Sequence, residues 1–104
     1  MKDTQESAAH DTPEKVVKNL KVEIAKSINK ILETRKIKQK EAALILKVKQ
    51  PRISYLKNLK VDNVSLDTLT EYLYLLGYQV KAEMTDTTRG KPITFNVVKT
   101  QEEN

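Results

Sequence analysis

A chain of 104 residues without cysteine, 38% hydrophobic and 32% charged, has the length and mix of one globular domain and can hold neither disulfides nor thiolate metal sites. No apolar run approaches the ~20 residues of a membrane span, and the polar start "MKDTQESAAHDTPE" lacks the apolar core of a secretion signal, so a cytoplasmic home is expected. The net charge of +5 is unevenly spread: residues 35–60 hold nine lysines and arginines against the single acid Glu41, whereas residues 1–14 carry one lysine against four acids. Residues 1–11 are polar and aperiodic and read as a disordered arm. Thr12 then offers an N-cap, Pro13 suits the first helical position, and Glu14 lies in the first turn, where the helix dipole favours a negative charge. Val17, Leu20, Ile24, Ile28 and Ile31 follow at spacings of three and four, widened by Ala25 and Leu32, which predicts an amphipathic helix to about Thr34.

Lys38 to Leu46 contains no breaker and reads as a helix of about two turns with Ala42, Ala43 and Leu46 on one face. Pro51 belongs in the first turn of a new helix, predicted over Gln50 to Asn58 and burying Ile53 and Leu56, so only Lys47, Val48 and Lys49 join the two. Ser65 precedes "LDTLTEYLYLLG", where Leu66, Leu69, Leu73 and Leu76 keep helical spacing and Gly77 stands at the C-terminal cap. There the period falls to two. Tyr78, Val80, Ala82 and Met84 alternate with polar residues as in a half-buried strand, "TDTTRGKP" reads as a loop, and Ile93 to Val98 alternate again. A lone hairpin is marginal, so these strands must pack on the helices or pair with another chain. The expected organisation is an arm over 1–11, a helical domain over 12–76, a strand or hairpin for packing or dimerisation over 77–98, and a frayed tail over 99–104.

Two short helices joined by a three-residue turn, the second opening with polar and basic residues, form the layout of a helix-turn-helix DNA reader. The first helix braces on the DNA backbone while the second lays its N-terminal end in the major groove. Core positions must therefore be small or apolar, as Ala43, Leu46, Val48, Ile53 and Leu56 are, which leaves Gln50, Arg52 and Ser54 facing outward. The concentrated charge suits a polyanion, nucleic acid being the commonest; its plain alternative is a solvated lysine-rich face. Other chemistry is poorly supported. His10 is the only histidine and has no metal-spaced partners, the four serines have no base, and two glycines make no phosphate loop. No enzymatic activity, metal or cofactor is expected. Tyr72, Tyr74 and Tyr78 straddle the end of the leucine helix and suit core or dimer contacts better than base stacking.

The stretch "KQKEAALILKVKQPRIS" resembles the Cro/repressor-like (XRE-type) helix-turn-helix family, matching its pattern at Gln39, Ala43, Gln50, Pro51, Ile53 and Ser54. The continuation "SLDTLTEYLYLLGYQVKAEM" is similar to HigA-type antitoxins of bacterial toxin-antitoxin pairs. The resemblance implies a mainly α fold, a lambda-repressor-like bundle of four to five helices with a short C-terminal strand or hairpin. It also implies roles. Gln39 would bond a backbone phosphate beside Lys38 and Lys40, Gln50 would pair with adenine and Arg52 with guanine, Lys49 and Ser54 would reach bases or phosphates, and Lys57 and Asn58 phosphates. The implied partner is double-stranded DNA, with palindromic half-sites about 34–36 Å apart. A second copy of the chain is expected from need, since one unit makes too few base contacts for specificity and the strand from Tyr78 to Met84 offers an edge that a twofold mate completes. An antitoxin would further hold a small ribonuclease toxin of the HigB/RelE-like type, on the acidic arm and first helix. A phage-type regulator without a toxin and a basic protein-interaction module are the alternatives. The chain departs from the family's pattern twice. Lys47 stands where glycine is usual, which costs about 1 kcal/mol at positive φ, and Lys49 stands where serine or threonine caps the recognition helix.

Overall fold

The computed structural model describes residues 12–83 and 94–100. Helix α1 (Pro13–Thr34) starts as its residues dictate: the Thr12 hydroxyl accepts from the Lys15 N–H at 3.1 Å, and Pro13 fills a first-turn position that needs no donor. Its buried face is Ile24, Ala25, Ile28, Ile31 and Leu32. The N-terminal turns run past the rest of the bundle, so Val17, which spacing assigns to the buried stripe, is a surface residue beside exposed Val16. There an ion pair between Lys18 and Asp62, 3.0 Å long and well exposed, ties the helix to the connection before α4. Such a pair contributes little.

Helices α2 (Gln39–Leu46), α3 (Gln50–Lys57) and α4 (Leu66–Leu75) complete the bundle. Ala42, Ala43 and Leu46 from α2, Ile53 and Leu56 from α3, and Leu69, Tyr72 and Leu73 from α4 join the α1 face in one core. Val48, in the turn between α2 and α3, is half-buried against it. Asn29 of α1 donates to the Leu56 carbonyl at 3.0 Å and so pins the C-terminal end of α3. Val61 and Val64 are buried too, although they lie in the connection between α3 and α4, where no helical or strand period marks them. The Ser65 hydroxyl caps α4 by accepting from Thr68 N–H at 3.1 Å.

All four helices end by turning into the left-handed region, and only one does so on glycine. Lys36, Lys47 and Leu59 have φ of 56°, 60° and 56°, and Gly77 has φ of 94°. After α1, α2 and α3 the same pair of bonds closes the end: Ile37 N–H to Leu32 O with Lys36 N–H to Glu33 O, Val48 N–H to Ala43 O with Lys47 N–H to Leu44 O, and Lys60 N–H to Tyr55 O with Leu59 N–H to Leu56 O. The departure at Lys47 is thus one of three residues held at positive φ, each costing about 1 kcal/mol relative to glycine. At Gly77 nothing lies within 4 Å of where a Cβ would be, so the φ selects glycine there and crowding does not.

The hairpin closes within the chain. Strand β1 (Tyr78–Glu83) pairs antiparallel with β2 (Thr94–Lys99), Tyr78 opposite Lys99 and Val80 opposite Val97. Tyr78, Val80 and Val97 turn one face onto the helices, which answers the weakness of an isolated ribbon. The second strand runs one residue beyond the expected Val98: Lys99 is in the ladder, not in a frayed tail. Thr100 then donates from its N–H and its hydroxyl to the Gly77 carbonyl at 2.9 and 3.1 Å, which tethers the end of the strand to the end of α4. The expected arm over 1–11, Met84, the loop over 85–92, Ile93 and residues 101–104 lie outside the described residues. The architecture is mainly α, four helices and a short C-terminal hairpin among the described residues.

Candidate nucleic-acid interface

The turn between α2 and α3 is set by local chemistry. Lys47 at φ 60° and ψ 44° ends α2, Val48 packs inward, and Lys49 in extended geometry starts α3, whose first bond runs from Arg52 N–H to Lys49 O at 2.9 Å. Ala43, 7% exposed, sits where α2 meets α3 and has too little side chain to hold them apart. With Ile53 and Leu56 fully buried, helical spacing turns Pro51, Ser54, Tyr55 and Asn58 outward, with Gln50 and Lys57 on one flank and Arg52 on the other.

The sequence-predicted residues divide accordingly. Lys38, Gln39 and Lys40 are exposed at the start of α2, and Lys49 and Gln50 are exposed at the start of α3. Lys57 shares one groove with Lys36, Lys38 and Gln39, floored by Ala42 and Ile53 and with Glu33 also on its wall. The start of α2 and the C-terminal end of α3 therefore meet at a common basic edge, and Lys49 and Gln50 are not part of that groove. Ser54 is half-buried, and the carbonyl of Ser54 receives the Asn58 amide at 2.9 Å. Asn58 thereby seals the end of α3 instead of reaching out freely. Arg52 is half-buried and donates from Nη1 to the Tyr72 hydroxyl at 2.7 Å. It is held by α4, which corrects the freely solvated position that spacing alone assigns to it. Of the three tyrosines, Tyr72 is buried, Tyr74 is exposed, and Tyr78 is half-buried with the Arg35 guanidinium 5.3 Å above its ring.

One outward residue escapes the motif. Tyr55 is 51% exposed on the outer face of α3, one turn beyond Pro51. Its offset of one and two positions from buried Leu56 and Ile53 was the available signal, since no turn or charge pattern marks it.

Helix capping separates the interface from the rest of the fold. Thr12 and Ser65 cap α1 and α4 through their hydroxyls, whereas α2 and α3 start from Lys38 and Lys49, neither of which makes a side-chain cap bond. A lysine at that position leaves first-turn N–H groups open and adds positive charge to the positive end of the helix dipole. Each such end offers open N–H groups and positive charge to an anion. Among the described residues, the ion pairs are Lys18–Asp62 and Lys26–Glu23, so none of the nine bases in residues 35–60 is neutralised by a carboxylate there.

Two short helices crossing at a small residue, the second with its polar face and N-terminal end free, define a helix-turn-helix protein. The chain belongs to the helix-turn-helix domain family, which matches it over residues 8–85. A solved structure named as an XRE-family transcriptional regulator superimposes with a TM-score of 0.69 at 25% identity, covering 77% of this chain and 90% of that one. No curated protein matches the sequence.

Proposed function

We propose that the chain is a sequence-specific DNA-binding transcriptional repressor that acts as a homodimer on palindromic half-sites, with α3 in the major groove and α2 bracing on the phosphates. The observation that carries this reading is that both helices of the motif start uncapped from an exposed lysine, in a protein that caps its other two helices with hydroxyls. Those helix ends are short of an anion, and phosphate supplies it. Gln50 and Tyr55 then face the bases, Lys38, Gln39, Lys40, Lys49 and Lys57 the backbone. Fluorescence anisotropy against the duplex upstream of the chain's own start codon, beside a scrambled duplex, tests it. Gln50→Ala should weaken binding to the native duplex by at least about tenfold, as loss of a bidentate base contact does. Equal affinity of the wild-type chain for both duplexes would refute the reading.

The finer proposal is that the repressor is the antitoxin of a toxin-antitoxin pair and docks a small basic ribonuclease of the HigB/RelE-like type. Its support is the HigA-like C-terminal stretch and the acidic first 14 residues, net −3. Helix α1 itself carries five lysines against three glutamates. An acidic docking surface therefore ends at Glu14, with exposed Val16 and Val17 continuing it as apolar surface. Deleting residues 1–12 should abolish capture of the product of an adjacent basic reading frame while leaving DNA binding unchanged. Full-affinity capture by the truncated chain would overturn this part alone.

A further inference from the structure

The Arg52–Tyr72 contact is, among the described residues, the one side chain to side chain hydrogen bond that joins two helices. Its partners lie 20 residues apart, and the acceptor is the hydroxyl of a tyrosine only 4% exposed. Helix α3 packs chiefly on α1 and α2, so this bond is its tether to α4. The choice of acceptor matters. A carboxylate would orient the guanidinium and also cancel its charge; a phenol oxygen orients it and leaves the charge whole. Among the described residues no ion pair involves Arg52. Arginine offers five N–H donors in a rigid fork, one of which Tyr72 takes, and the half-buried side chain keeps solvent access on the flank of α3.

We propose that the Tyr72 hydroxyl is a positioning group for DNA readout: it holds the Arg52 guanidinium in the orientation required to read a guanine, and so contributes to specificity from a helix that does not enter the groove. This rests on the reading of α3 as the groove helix. An unrestrained arginine must surrender rotamer freedom on docking, a loss that lowers affinity by about two- to tenfold per immobilised side chain. Tyr72 has already imposed that order in the free protein.

The probe is the duplex that the wild-type chain enriches from a random-sequence 30-base-pair pool, together with copies in which each guanine is replaced in turn and a scrambled copy. Anisotropy titrations compare wild type, Tyr72→Phe, Arg52→Ala and the double variant, with circular dichroism melts alongside. Arg52→Ala should lose discrimination at one guanine in each half-site. Tyr72→Phe, which keeps the buried ring, should bind the enriched duplex about two- to tenfold more weakly per restrained side chain, lose discrimination at the same guanine, and bind the scrambled duplex like wild type. The double variant should be no worse than Arg52→Ala. A Tyr72→Phe variant with wild-type discrimination, or with equal losses on enriched and scrambled duplexes, or a double variant that adds both effects, overturns the proposal while leaving the function intact. Enrichment of no sequence by the wild-type chain overturns the function itself, and Arg52→Ala binding like wild type removes Arg52 from the interface and Tyr72 with it.

Discussion

Raising salt from about 50 to about 200 mM is expected to weaken binding to the enriched duplex by about a thousandfold, a slope near −5 in log K against log salt. The number follows from the residues that can meet phosphate. Lys38, Lys40, Lys49 and Lys57 are exposed on α2 and α3. If three of them engage in each protomer of a dimer, about six phosphates lose their counterions, and each contributes about −0.9 to the slope. Intramolecular ion pairing would blunt this response, but the described carboxylates that pair with lysine do so at Lys18 and Lys26, outside the basic segment. Anisotropy titrations at four salt concentrations measure the slope directly. A slope shallower than about −2 on a duplex that is still bound tightly would mean that the lysines are solvated surface and that base contacts alone carry the complex.

The steepness of that expectation was legible in the sequence, because a count of charges along residues 35–60 needs no coordinates. The helices were legible for a different reason: Thr12 with Pro13, Ser65, and Gly77 each announce a terminus through backbone chemistry that acts within a few residues. What stayed hidden depends on neighbours distant in sequence. Val17 fits the α1 stripe, yet the helix overshoots the bundle and no period reports where a partner ends. Val61 and Val64 are core residues on an irregular connection, where burial comes from the path of the backbone and not from a repeat. Arg52 looked like a free reader because its acceptor, Tyr72, lies 20 residues on, in the next helix. The candidate interface was therefore readable as a charge and a motif, while the orientation of Arg52 required the packing of α4.

Replacing Lys49 with serine should make the protein more stable and a poorer DNA binder at once. In the free protein Lys49 starts α3 without a side-chain cap bond, at a position with extended backbone of φ −88° and ψ 156° that a capping serine adopts readily. A serine hydroxyl there can accept from the first turn, worth about 1 kcal/mol, and removal of the lysine relieves a repulsion with the helix dipole of about 0.3–1 kcal/mol. A gain of 1 kcal/mol raises Tm by roughly 4–8 °C in a domain of this size. On DNA the same change deletes one phosphate contact per protomer, so the salt slope should fall by about 1 for each protomer bound and affinity for native and scrambled duplexes should drop alike. The two measurements must move in opposite directions. A variant with unchanged Tm would mean that the open N–H groups of α3 cost nothing in water, and one with unchanged salt slope would mean that this helix end never meets a phosphate. Either result removes the physical reason for a lysine at the cap. Both changes together would mean that the fold keeps the start of its recognition helix unsatisfied because the missing partner is the DNA backbone.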